Sequence, residues 1–206
     1  TRRSSDLMDS PSNEQHLIAR AKMGDADAVS ALYQAYANAI FRYVSYRVES
    51  GMVAEDITAD VFLRMVREIG NYDDRGFPFG AWLFAIARNL IQDHYRNKHY
   101  KTHVELTDDR PSDDTDPFET LAQHEERARL QEALAGLPQD YQDVLILRYM
   151  QNLSYAEVAH ILGKSEIALR TLQHRALKAL GRKLGVDIEN KPRSYLRGKR
   201  NDDEPE

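Results

Sequence analysis

Residues 155–174, YAEVAHILGKSEIALRTLQH, decide the fold of the second half of this chain. Val158 and Leu162 fall on one face of a first helix, and the small Ala159 lets a second helix cross it closely. Gly163 suits the positive-φ position that ends a helix. Ser165 then offers an oxygen to the backbone N–H groups that open the next helix. In that helix Leu169, Leu172, Ala176 and Leu180 recur at three- and four-residue steps and form an inward stripe. The opposite face carries Arg170, Thr171, His174 and Lys178, donors suited to base edges and phosphates. An ordinary helical hairpin with a solvated basic face needs none of this coincidence. The segment reads as a helix-turn-helix that enters DNA.

Charge extends the reading to a second place. Residues 164–183 carry Lys164, Arg170, Arg175, Lys178, Arg182 and Lys183 against only Glu166. Residues 88–101 carry Arg88, Arg96, Lys98 and Lys101 against Asp93, while residues 105–119 are strongly acidic. The formal net charge is −5, unusual for a protein that coats duplex, because such affinity comes largely from neutralised phosphates. Two basic segments around an acidic one suggest two nucleic-acid contacts in a protein not built to hold DNA alone.

Composition sets the remaining bounds. At 42% hydrophobic and 30% charged the chain is of the soluble globular type. With no cysteine, disulfides and thiolate zinc sites are excluded, which fits a reducing cytoplasm. No apolar run approaches the ~20 residues of a membrane span. The opening TRRSSDLMDSPSNEQ lacks the apolar core of a secretory signal, and its missing initiator Met is expected to reflect processing or trimming.

Every periodic segment reads as helix, so the expected class is all-α. A first helix over 13–23 follows Ser12 as cap. Asp25 caps a second, with Val29, Leu32, Tyr33, Tyr36, Ile40, Tyr43, Val44 and Val48 as its apolar stripe and Gly51 at its end. A third, about 53–69, places Ile57, Val61, Met65 and Ile69 on one side and Asp56, Asp60 and Arg64 on an adjacent face. After turn chemistry in NYDDRGFPFG, a fourth helix over 78–100 begins apolar and turns basic and aromatic. Pro117 opens a helix to about 135 and Pro138 another to about 150. The expected division is a tail 1–12, a four-helix domain 13–101, a linker 102–116, a smaller helix-turn-helix domain 117–185 and a charged tail 186–206.

This two-part pattern resembles the extracytoplasmic-function (ECF) sigma factors, compact members of the sigma-70 family. The resemblance rests on GDADAVSALYQAYANAIFRYV, AEDITADVFLRM, FGAWLFAIARNLIQDHYR and LPQDYQDVLILRYMQNLSYAEVAHILGKSEIALRTLQHRALKAL, which span about residues 13–184. It implies a first domain that binds the clamp of RNA polymerase core and the promoter −10 element. The second domain, with the polymerase flap nearby, is implied to bind the −35 element. By that likeness Glu55, Asp56, Asp60, Phe62, Leu63 and Arg64 are polymerase-contact candidates, although Phe62 and Leu63 could equally be core. Asn89 matches a position at the mouth of a pocket for an unstacked −10 base, with Arg88 beside it. His94, Tyr95, Arg96, Lys98, His99, Tyr100 and Lys101 interleave aromatics and cations as single-strand binding requires. Lys164, Ser165, Arg170, Thr171, His174, Arg175 and Lys178 are the −35 candidates, Arg170 foremost because its guanidinium reads guanine or phosphate bidentately. Trp82 reads as core. The chain departs from the resemblance at Ile167, Leu172 and Gln173. The family further implies an anti-sigma partner, often membrane-bound, with no cofactor, no small-molecule substrate and no membrane insertion.

Two other classes compete. An autonomous helix-turn-helix regulator would bind operator DNA without polymerase, at typical specific affinities of about 10⁻⁸–10⁻¹¹ M. An enzyme reading draws on His94, His99 and His103 beside Asp93 as metal ligands, but steps of five and four do not share one helical face. No Gly-rich phosphate loop or Ser/Cys–His constellation supports catalysis, and no metal site is expected.

Overall fold

The computed structural model describes residues 11–74, 76–101 and 121–186. Among them are eight α-helices and no strand, in agreement with the all-α expectation. The expected linker 102–116, the helix start at Pro117 and most of both tails lie outside the described residues.

The first unit consists of α1 (Pro11–Lys22), α2 (Ala26–Ser45), α3 (Gly51–Glu68) and α4 (Phe79–Lys101). Helix α1 begins at Pro11, so Ser12 lies inside it rather than capping it; proline suits a first helical turn because its missing N–H needs no partner there. Asp25 caps α2 as expected, accepting from the N–H groups of Asp27 and Ala28 at 3.0 and 3.2 Å. The Arg20 side chain donates to the same carboxylate at 2.8 Å. That bond first, and the Ala28 N–H after it, hold the Asp25 pKa below its usual value.

Gly51 corrects the sequence reading. It does not end α2 but opens α3, behind Ser50, whose side chain accepts from Val53 N–H at 3.2 Å. Helix α2 stops six residues earlier, and the intervening turn buries Arg47 and Val48. The expected stripe Ile57, Val61 and Met65 of α3 is buried, as is Ile69 in the 3-10 turn that follows it. Aromatic edges knit the base of the bundle: the Phe79 ring lies 5.1 Å from Tyr72 and 5.8 Å from Tyr36, with Trp82 partly buried beside them.

The second unit consists of α5 (Leu121–Ala135), α6 (Gln139–Leu145), α7 (Tyr155–Leu162) and α8 (Glu166–Leu184). A π-turn over Ile146–Met150 prolongs α6. Ser154 and Glu157 form a reciprocal capping box at the start of α7. Gly163 ends α7 at φ 61°, the left-handed conformation expected for it. The inward stripe of α8 differs by one position: Gln173 is buried together with Leu169 and Ala176, and Leu172 is only partly covered. An amide is tolerated inside because its Nε2 donates to the Tyr149 hydroxyl at 2.5 Å.

The two units pack on each other, and one continuous apolar core runs through both. Helix α4 lies against α7, and the His160 ring stacks on Phe77 with centroids 3.9 Å apart and planes 13° from parallel.

Candidate functional site

The outer face of α8 is set by its own caps. Ser165 spends its side-chain oxygen on Ala168 N–H at 3.2 Å, so its role is to start the helix. One turn on, Arg170, Thr171, His174, Arg175 and Lys178 are all exposed. Thr171 Oγ1 donates to the Ile167 carbonyl at 3.2 Å. Arg170 lies over the Tyr155 ring, 4.1 Å from its centroid, and Arg148 lies over the same ring at 4.0 Å. Tyr155 thus steadies the guanidinium that sequence reasoning ranks first, through the ring quadrupole. Ile167 projects at the helix start, 81% exposed.

On α4 the candidates are tied to other elements. Arg88 Nε donates to Asp143 at 3.0 Å and its Nη2 to Asp140 at 3.1 Å. Asp143 is fully buried and also accepts from the Tyr43 hydroxyl at 2.7 Å. Arg47, equally buried, donates to the Gln139 carbonyl and to Gln142 Oε1, both at 3.0 Å. Its Nε is 3.3 Å from Asp143, an ion contact without hydrogen-bond geometry. Asp140 also takes Lys164 Nζ at 3.0 Å, so one carboxylate joins a candidate cation from each unit. Burial alone would pull the Arg88 pKa down, but the Asp143 charge and hydrogen bond raise it. Desolvation would raise Asp140, yet Lys164 and then Arg88 hold it low.

Further along α4, Asn89 is exposed. His94 Nε2 lies 3.2 Å from Glu49, Arg96 pairs with Asp93 at 2.7 Å, and the Tyr95 hydroxyl donates to the Arg47 carbonyl at 2.5 Å. The side chains of Lys98, His99, Tyr100 and Lys101, and all of His103, lie outside the described residues. Nearby, a cavity of about 370 Å³ is lined by Asn71, Tyr72, Phe77, Trp82 and His160; Asn89 is not among its walls.

The third surface is an open groove of about 820 Å³ between α2 and α3. Tyr33, Leu63 and Val66 stand about half-exposed along it. Phe62, a contact candidate from the sequence, is 6% exposed and packs edge-on against Tyr33 at 4.7 Å, so it forms the floor. Glu55, Asp56, Asp60 and Arg64 are exposed, Arg64 pairing with Glu68 at 2.9 Å. The structure therefore keeps the acids and Leu63 outward and moves Phe62 inward.

Sequence reasoning missed Tyr43, Arg47, Asp140 and Asp143 as a group. The one available signal was an acid inside the apolar run YQDVLIL, where a charge persists only if paired. Among the described residues no three His, Asp or Glu side chains are placed to hold a metal, and no helix is long and apolar enough to cross a membrane.

Comparison with known proteins fits this arrangement. Residues 32–100 match sigma-70 region 2, and residues 127–180 match sigma-70 region 4. The chain is 39% identical over 173 residues to the ECF RNA polymerase sigma factor BldN of Streptomyces coelicolor, across 83% of this chain and 66% of that protein. It thus spans about two thirds of that relative's length. With the ECF RNA polymerase sigma factor SigD of Mycobacterium tuberculosis it shares 32% identity over 170 residues, 80% of each chain. The fold is similar to CnrH in its complex with the cytosolic domain of CnrY, with TM-score 0.65 and 24% identity over 84% of this chain and 97% of that one. It is also similar to RpoE bound to the anti-sigma factor NepR from Bartonella quintana, with TM-score 0.65 and 20% identity over 77% and 97%. Two region matches in order, relatives of this identity across most of both chains and the two helical units together assign the chain: it belongs to the sigma-70 family, among the ECF RNA polymerase sigma factors.

Proposed function

We propose that this chain is a promoter-specificity factor that binds RNA polymerase core and directs it to −10 and −35 elements, without catalysing a reaction itself. Family membership carries this reading, and the separation of three surfaces supports it. Residues 13–101 are the polymerase- and −10-binding domain, and residues 117–185 the −35-binding domain. The half-apolar groove beside Asp56 and Asp60 has the mixed character of a protein interface and is the polymerase-facing surface. Exposed Arg170, His174, Arg175 and Lys178 on α8 meet the −35 major groove and its phosphates. Asn89, with the cations that follow it on α4, meets the separated −10 strand.

The protein acts in the cytoplasm and is restrained by an anti-sigma factor, as RpoE is bound by NepR. A net charge of −5 argues against autonomous duplex binding. In vitro transcription with purified core polymerase, followed by sequencing of transcript starts, tests the reading. Starts at a shared pair of upstream motifs are expected. Nanomolar duplex binding without core, and no factor-dependent start with it, would establish the autonomous regulator instead.

A further inference from the structure

The first turn of α8 presents a side chain that neither the core nor the charge pattern uses. Ile167 is 81% exposed, while the buried stripe of the helix begins two residues on, at Leu169. Those two residues make about half a turn, so Ile167 faces away from the core. It stands one turn ahead of Arg170 and Thr171, at the head of the exposed row that continues through His174 and Lys178.

Its neighbours narrow what can cover it. Ala168 beside it is also exposed. Thr171 donates its hydroxyl to the Ile167 carbonyl at 3.2 Å, so its methyl group is what it has left for an apolar contact. Apolar groups thus cluster at the start of a helix whose next turn is cationic. Glu166, 3.7 Å from Arg170, adds a negative charge at the same end. That charge repels a phosphate, which a helix N-terminus would otherwise attract. In a major groove the apolar surface is the thymine C5 methyl, and the first turn of a recognition helix is the part that meets base edges.

We infer that Ile167 is a specificity-determining residue of the −35 contact: with Ala168 and the Thr171 methyl it packs on the C5 methyl of a thymine. Arg170, steadied on Tyr155, supplies the polar contact one turn further on. The inference rests on the −35 reading of α8 and adds to it the base selected under the first turn, an A·T pair.

The test uses holoenzyme assembled from core polymerase and the full chain, on a duplex promoter taken from mapped transcript starts. Each thymine of the −35 element, on either strand, is replaced singly by deoxyuridine, which removes the C5 methyl and keeps the base pairing. Binding is compared for the unaltered chain, Ile167→Ala and Ile167→Val; substitution at so exposed a residue leaves the fold in place. At one thymine the unaltered chain should lose about fourfold in affinity, the worth of burying one methyl-sized group. There Ile167→Ala should bind the thymine and deoxyuridine duplexes alike, and Ile167→Val should keep part of the difference. Any change that uracil makes in the duplex itself is common to all three proteins and cancels in the cycle. Equal penalties for the unaltered chain and Ile167→Ala at every position, zero included, overturn the inference while promoter binding persists. So does a −35 element with no A·T pair. Failure of the chain to direct core to any promoter would sink the proposed function itself, and this inference with it.

Discussion

The α8 face and the α4 face carry the same kinds of side chain, yet the structure treats them oppositely. On α8 Thr171, His174, Arg175 and Lys178 are exposed, and local partners such as Tyr155 and Glu166 steady Arg170. On α4 the cation Arg88 reaches across to residues more than 50 positions away in sequence. A surface organised within its own unit is ready for a ligand; one organised by the other unit is conditional on that unit. The difference is one of range, not composition.

The largest effect should come from breaking the long-range side. Asp143→Ala leaves buried Arg47 without its carboxylate and Arg88 with Asp140 alone, and losing one partner of a buried pair typically costs about 3–5 kcal/mol. Denaturant unfolding should show that loss; a change within error would make the cluster energetically idle.

Alkaline titration probes the packing of both units more gently. Burial pushes the hydroxyls of Tyr43, Tyr36, Tyr95 and Tyr149 above their usual value, and that of Tyr72 to about 12. A raised folded pKa gives stability that is complete below the unfolded value near 10 and lost as pH rises through the folded one. Melting temperature should fall from about pH 10 upward, with tyrosinate absorbance lagging behind that of the unfolded chain. Simultaneous ionisation of all tyrosines at the ordinary value, with no loss of stability, would contradict the packing.

On the short-range side, Ser154→Ala removes one half of the α7 capping box and should cost about 1 kcal/mol. Duplex preference at −35 should survive once the protein is folded. Smallest of all, Tyr155→Leu withdraws a ring from Arg170, worth about 0.5–1 kcal/mol at an exposed site. It should lower the affinity of holoenzyme for its −35 element several times less than Arg170→Ala does. Equal losses would make the ring, not the cation, the reader.

That contrast of range also explains what could be read without coordinates. Asp25, Gly163 and Ser165 were legible because a cap is decided within four residues of itself. Gly51 was misread because a glycine fits either a helix end or a helix start, and only Ser50 beside it breaks the tie. Gln173 was passed over because periodicity counts it as polar, while Tyr149 makes it a satisfied interior group. Of the candidate site, the outward row on α8 and the acids of α3 followed from spacing. Phe62 did not, since an apolar residue beside a groove is floor or rim according to its neighbours. The ion cluster had no periodic signature, because its members come from three helices and a turn.

The hydrogen bond from Tyr43 to Asp143 joins residues 100 apart, and on the logarithmic law closing such a loop costs about 4 kcal/mol beyond the constant term. Most other contacts of these helices lie within their own unit. Contact order therefore sets a sequence of events in time: each helical unit assembles first, and their docking comes last. The same arithmetic runs in reverse, so the seam between the units is where this chain first comes apart, with each bundle still intact.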